Sequence, residues 1–245
     1  MKRYLSVFEM IIRSCIYRIL GVLALMIGIE TVLLMIVWNQ PIAKLQPSME
    51  VWVERSWLCI PFLAAYWFVT YILASSGTNM GSMQGYTLQR LRIPEKKVYL
   101  LQCVYNMFCY VILWETQLVV LFAASDFYMK HKTGAILTNQ TVFLAFYRNA
   151  FMHSILPLED IFGWFTLGFY IVMTGILTAK FARNQRNGKV TWSLIFFAAL
   201  AVVCFQRELG VEPYFMLMLT LIWIMYMLAQ VLINEGVQED EREGE

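Results

Sequence analysis

An all-α polytopic membrane protein is the fold class this sequence predicts, on three observations. About 60% of the 245 residues are apolar and only 15% are charged, where soluble domains run nearer half and a quarter. The apolar residues gather in runs of about 20, the length of helix that crosses roughly 30 Å of hydrocarbon. Between the runs, basic residues alternate in density from one connection to the next, as the positive-inside rule requires of a chain threading a bilayer. A water-soluble fold would leave too little polar surface to cover so large a core.

Residues 1–18 differ from the apolar runs. Ser6, Glu9, Arg13 and Tyr17 recur at three- to four-residue intervals, with Leu5, Phe8, Ile12, Ile16 and Ile19 on the other side. That pattern predicts an amphipathic helix lying in the membrane interface, with Arg3, Arg13 and Arg18 toward lipid phosphates. The alternative is an extension of the first span. The first apolar run is too long for the core of a signal peptide and has no small-residue cleavage site after it.

Six spans are expected, at 19–38, 57–75, 98–125, 161–179, 190–206 and 213–233, forming a transmembrane domain over 19–234. The fifth is the shortest, but Phe196-Phe197-Ala198-Ala199-Leu200 is too apolar to leave in water. The third is long enough to tilt or to project from the membrane. Lys2, Arg3, Arg13 and Arg18 precede span one, Arg90, Arg92, Lys96 and Lys97 come after span two, and Lys180, Arg183, Arg186 and Lys189 after span four. The other connections hold Lys44, Arg55, Lys130, Lys132, Arg148 and Arg207. With Arg242 the division is 13 against 6, which predicts both termini in the cytoplasm.

The external connection 126–160 is too long for a turn. Leu144, Tyr147, Phe151, Ile155 and Leu158 form an apolar stripe opposite Arg148 and Asn149, so an external amphipathic helix is expected between spans three and four. Asn139 or Thr141 would cap its start, and Pro157 marks its end. Residues 235–245, with Glu239, Asp240, Glu241, Glu243 and Glu245, read as a short solvated cytoplasmic tail.

Catalytic and cofactor signatures are few. Asn187-Gly188-Lys189-Val190 has the Gly-Lys of a phosphate loop, but Arg183 stands where the first glycine belongs and Val190 replaces the magnesium-binding hydroxyl. His131 and His153 are too far apart for a ligand pair on one helix. Cys15, Cys59, Cys103, Cys109 and Cys204 sit in or beside apolar runs without paired spacing, as small apolar side chains do. No metal or other cofactor is expected in this chain, and no nucleic-acid partner.

Two carboxylates stand out instead. Glu30 lies within the first span and Glu115 within the third, at similar depths counted from the ends of their spans. An intramembrane carboxylate costs a few kcal/mol, so each should face a cavity or a partner. With Thr31, Thr116 and Gln117 they form a candidate polar patch in a cargo path. Hydrogen bonding that merely ties helices together is the alternative.

The remaining signal is the basic stretch Tyr86-Thr87-Leu88-Gln89-Arg90-Leu91-Arg92-Ile93-Pro94-Glu95-Lys96-Lys97. Pro94 suits the first turn of the next helix, and Glu95 favours a helix N-terminus. Together with six spans, an interfacial N-terminal helix and no ATPase domain, this stretch resembles a type-2 ABC transporter permease. The resemblance implies a coupling helix at Tyr86, Leu88, Gln89, Arg90, Leu91, Arg92, Ile93, Pro94, Glu95 and Lys96 that docks on a separate ATPase subunit. It implies ATP and magnesium on that partner, a second permease subunit, and residence in a bacterial cell membrane. Ala145-Phe146-Tyr147-Arg148-Asn149-Ala150-Phe151 also resembles permeases of Gram-positive bacteria. In one respect the chain departs from the family, whose external helices commonly lie between spans five and six. The function expected is export of a peptide, antibiotic or amphiphile. A membrane sensor or immunity subunit, or an intramembrane enzyme, are the alternatives.

Overall fold

The computed structural model describes residues 2–39, 48–75, 95–131 and 139–186, with isolated positions at 194, 195, 198, 199, 205, 218 and 222. Among these residues all regular structure is helical: α1 (Lys2–Trp38), α2 (Met49–Arg55), α3 (Cys59–Ser75), α4 (Glu95–His131), α5 (Asn139–Arg148), α6 (Ala150–Ile155) and α7 (Ile161–Arg186). Three stretches are long and apolar enough to cross a membrane, Cys15–Trp38, Lys97–His131 and Ile161–Gln185, and the bent pair α2 and α3 makes a fourth if it is counted as one broken span. The expected fifth and sixth spans and the acidic tail fall outside the described residues, apart from the isolated positions.

α1, α3, α4 and α7 run alternately up and down. At one end Trp38, Trp52, Phe127 and Tyr128 form an aromatic cluster, with ring centroids 5.4–6.5 Å apart. Toward the other, Arg183 of α7 lies over the Tyr99 ring of α4. The surface is inverted relative to a soluble bundle: Leu25 and Val32 on α1, Phe68 on α3, Phe108 and Val119 on α4, and Phe165 on α7 are all exposed. Apolar faces this extensive suit lipid rather than water.

α1 is unbroken through the expected junction at Arg18, because residues 2–20 contain no glycine or proline to end it. Its 37 residues reach about 55 Å. Among the described side chains of residues 1–18, Glu9 and Arg13 pair in the open at 2.7 Å, while Ile12 and Ile16 are half-buried. From Cys15 onward the buried positions are Ile19, Leu23, Met26, Glu30 and Leu34, a stripe at three- and four-residue spacing against α3 and α4.

The expected span over 57–75 is helical from Cys59 to Ser75, and a short helix not expected from sequence, α2, precedes it at an angle. α2 and α3 meet at 52°, and Trp57 between them has φ 50°. Pro61 is the cause: it has no N–H to give the carbonyl of Trp57, and its ring would clash with that carbonyl in a continuous helix. The third and fourth spans begin close to expectation but run on, α4 to His131 and α7 to Arg186.

The connection over 139–155 is two short helices rather than one. Asn149 breaks them. Its Oδ1 accepts from Met152 N at 3.0 Å as the N-cap of α6, and its Nδ2 donates to the Glu50 carbonyl at 3.2 Å. The break resets the helical register, so Ala145, Phe146, Met152 and Ile155 are buried, while Leu144, Tyr147 and Leu158 of the expected stripe are exposed. Asn149 itself is buried rather than on a solvated face. Arg148 pairs with the Glu50 carboxylate at 3.7 Å, and Trp114 Nε1 donates to the Ile155 carbonyl at 2.9 Å. These contacts clamp α5 and α6 onto α2 and α4. Asn149→Ala removes both the cap and the tie to α2 and is expected to destabilise the fold by about 1–2 kcal/mol, read as a lower melting midpoint in detergent.

α3, α4 and α7 are joined by a polar ladder inside the bundle. The Tyr66 hydroxyl donates to that of Tyr170 at 3.2 Å, the Thr70 and Tyr110 hydroxyls are 2.9 Å apart, and Asn106 reaches the Thr178 hydroxyl at 2.8 Å. α4 and α7 cross closely enough that a Cβ on Gly175 would lie 2.6 Å from Met107 Cγ and 3.0 Å from its backbone nitrogen. Small residues at such crossings let apolar helices approach without a hydrophobic driving force.

Candidate functional site

Along the flank between α1 and α4 runs a groove of about 520 Å³, within the 300–1,000 Å³ typical of ligand sites. α1 contributes Ile27, Thr31, Leu34 and Met35, and α4 contributes positions from Ile112 to Phe127 at three- and four-residue spacing. Trp52 closes the aromatic end. The 15-residue interval from Ile112 to Phe127 gives a length of about 22 Å. The walls are apolar apart from Thr31, Glu115, Thr116 and the indole of Trp52.

Thr31 Oγ1 donates to the Gly28 carbonyl at 2.9 Å, and Thr116 Oγ1 to the Ile112 carbonyl at 2.7 Å. Trp52 Nε1 donates to the Leu34 carbonyl at 3.3 Å. Glu115 makes no hydrogen bond or ion pair among the described residues. It lies 18 residues from Lys97 and 16 from His131, near the middle of the span, about 27 and 24 Å from its ends.

Glu30 and Gln117 belong to a different environment. Both are 0% exposed, packed in the α1–α4 interface behind the groove rather than in its wall. The Gln117 amide lies beside the Glu30 carboxyl. The pair falls short of direct hydrogen-bond geometry: neither the Glu30 oxygens nor the Gln117 amide atoms have a partner among the described residues. Residues two apart on a helix point about 200° apart, so turning Gln117 inward sends Glu115 outward. The expected polar patch is therefore divided, with Thr31, Glu115 and Thr116 in the groove and Glu30 with Gln117 in the core.

Of the expected coupling helix, Tyr86, Leu88, Gln89, Arg90, Leu91, Arg92, Ile93 and Pro94 lie outside the described residues. Glu95 and Lys96 open α4. The apolar groove walls, among them Met35, Ile112 and Val119, were not singled out from sequence. Nothing separates a residue facing a groove from one facing lipid when both are apolar.

A smaller cavity of about 40 Å³ lies between α6 and α7, lined in part by His153, Ser154 and Asp160. It is large enough for a water or two. The Ser154 hydroxyl donates to the Phe151 carbonyl at 2.8 Å, which does not activate it as a nucleophile. No group of three or more metal-ligating side chains occurs among the described residues.

Against models of known protein families, curated proteins and solved structures, the chain matches none.

Proposed function

We propose that this chain is the membrane-spanning permease subunit of a bacterial ABC exporter for an amphiphile, with both termini cytoplasmic. The observation that carries the transport reading is the groove: an apolar cleft along two membrane-length helices with a carboxylate in its wall, near the middle of the longer helix. A purely structural bundle has no use for a carboxylate there, at a cost of a few kcal/mol. The ATPase half of the reading rests on the resemblance of residues 86–96. ATP hydrolysis and its magnesium are assigned to partner ATPase subunits, and a second permease subunit completes the pathway. ATP-driven closure of the ATPase pair would push on the coupling helices and rock the bundle between inward- and outward-facing forms.

The test is charge reversal in the coupling loop. Arg90→Glu with Arg92→Glu is expected to abolish co-purification with the ATPase, or to uncouple hydrolysis from transport, without changing membrane insertion. Unchanged association and transport in that variant would defeat the reading.

A further inference from the structure

We infer that the groove between α1 and α4 binds a cationic amphiphile, with its positive head on Glu115 and its apolar tail along the groove. The polarity of the walls selects the sign of the charge. Four side chains bring polar atoms to the groove, and three of them are donors already committed elsewhere: Thr31 to Gly28, Thr116 to Ile112 and Trp52 to Leu34, each through a backbone carbonyl. Their hydroxyl oxygens retain lone pairs, and an ionised carboxylate is acceptor-only. The groove thus offers acceptors and negative charge, with no side-chain donor left over among the described residues. An anionic head would meet unpaired lone pairs and a like charge. A cationic head pairs with the Glu115 carboxylate and brings no acceptor, so it adds no unpaired lone pair to a wall that has no donor to offer.

Shape selects the rest of the ligand. Glu115 and Thr116 lie toward one end of the lining, and Val119, Ala123 and Phe127 continue from them to the Trp52 end. A head at Glu115 leaves an apolar path of 12 residues to Phe127, about 18 Å, for a single unbranched chain. The volume of about 520 Å³ excludes a folded peptide.

This assignment rests on the transport reading only for the ligand's being cargo; binding itself requires no ATPase. The full chain in phosphatidylcholine nanodiscs, with empty nanodiscs as the blank, is titrated with radiolabelled dodecyltrimethylammonium and separately with dodecyl sulfate. Saturable binding of the cation is expected, weakened about tenfold by Glu115→Gln, a near-isosteric change at an exposed position. Ala123→Trp, which fills the groove beyond the head site, should abolish it. Thermal melting checks that both variants are folded. Absent saturable binding, equal binding of the sulfate, or an unaltered affinity in folded Glu115→Gln would each overturn the assignment. Cation binding that survives while charge reversal at Arg90 and Arg92 leaves ATPase association untouched would overturn the transport reading alone.

Discussion

Gly175→Leu is expected to be the most destructive single change in the described bundle. Even the first added carbon would sit 2.6 Å from Met107 Cγ, 3.0 Å from its nitrogen and 3.2 Å from its Cα. The Met107 side chain can swing away, but the backbone atoms cannot. α4 and α7 must therefore separate, stretching the contacts of Asn106 with Thr178 on the same faces. The expected loss is about 3 kcal/mol or more, which lowers the melting midpoint by about 10 °C for a chain of this size. Gly175→Ala should show a smaller fall. Adding Met107→Ala to the leucine variant should restore little, since the backbone contacts remain. Full rescue by Met107→Ala would mean that the crossing is set by side chains instead.

The second large effect has the opposite sign. Glu30 and Gln117 are fully buried with no hydrogen-bond partner among the described residues, and each such group costs about 1–3 kcal/mol. Replacing both with leucine is expected to stabilise the chain by about 2 kcal/mol, raising the melting midpoint by about 6 °C. Glu30→Lys, with a longer and obligatorily hydrated head, should lower it. Were the pair holding α1 to α4 through hydrogen bonds, the double leucine variant would melt earlier than wild type, and that result would reject the description of this interface. A gain in stability with a loss of transport would identify the pair as polarity retained for function.

How far the sequence anticipated these features depends on the kind of signal each leaves. The membrane-length helices were legible because a run of apolar residues is itself the physical requirement for crossing hydrocarbon. The start of span two was legible to within two residues, but α2 before it was not: Met49–Arg55 carries Glu50, Glu54 and Arg55, too many charges for hydropathy to join it to the span. The break at Asn149 was harder to see: an asparagine at an exposed helical position and one capping a new helix look alike until the Glu50 carbonyl is found beside it. Glu115 and Gln117 could have been separated by counting, since two residues on one helix face opposite ways. Which of them turned outward depended on the packing of α1. The groove itself left no trace, for Ile112 and Val119 would serve equally well against lipid.

The direction in which the groove opens has a thermodynamic consequence. Among the described residues it lies on the flank of the bundle, and on that placement a ligand would reach it from within the bilayer. A twelve-carbon chain entering lipid from water gains about 0.8 kcal/mol per methylene, so the membrane collects the amphiphile before the protein meets it. Groove wall and acyl chains are equally apolar, and the tail gives no reason to prefer one over the other. Affinity expressed per mole fraction in the lipid should then be independent of chain length, while affinity expressed against the aqueous concentration rises steeply with it. The head group would then set which amphiphiles are held and the length of the groove how long a tail it admits, with one carboxylate sufficing to discriminate within a locally concentrated two-dimensional pool.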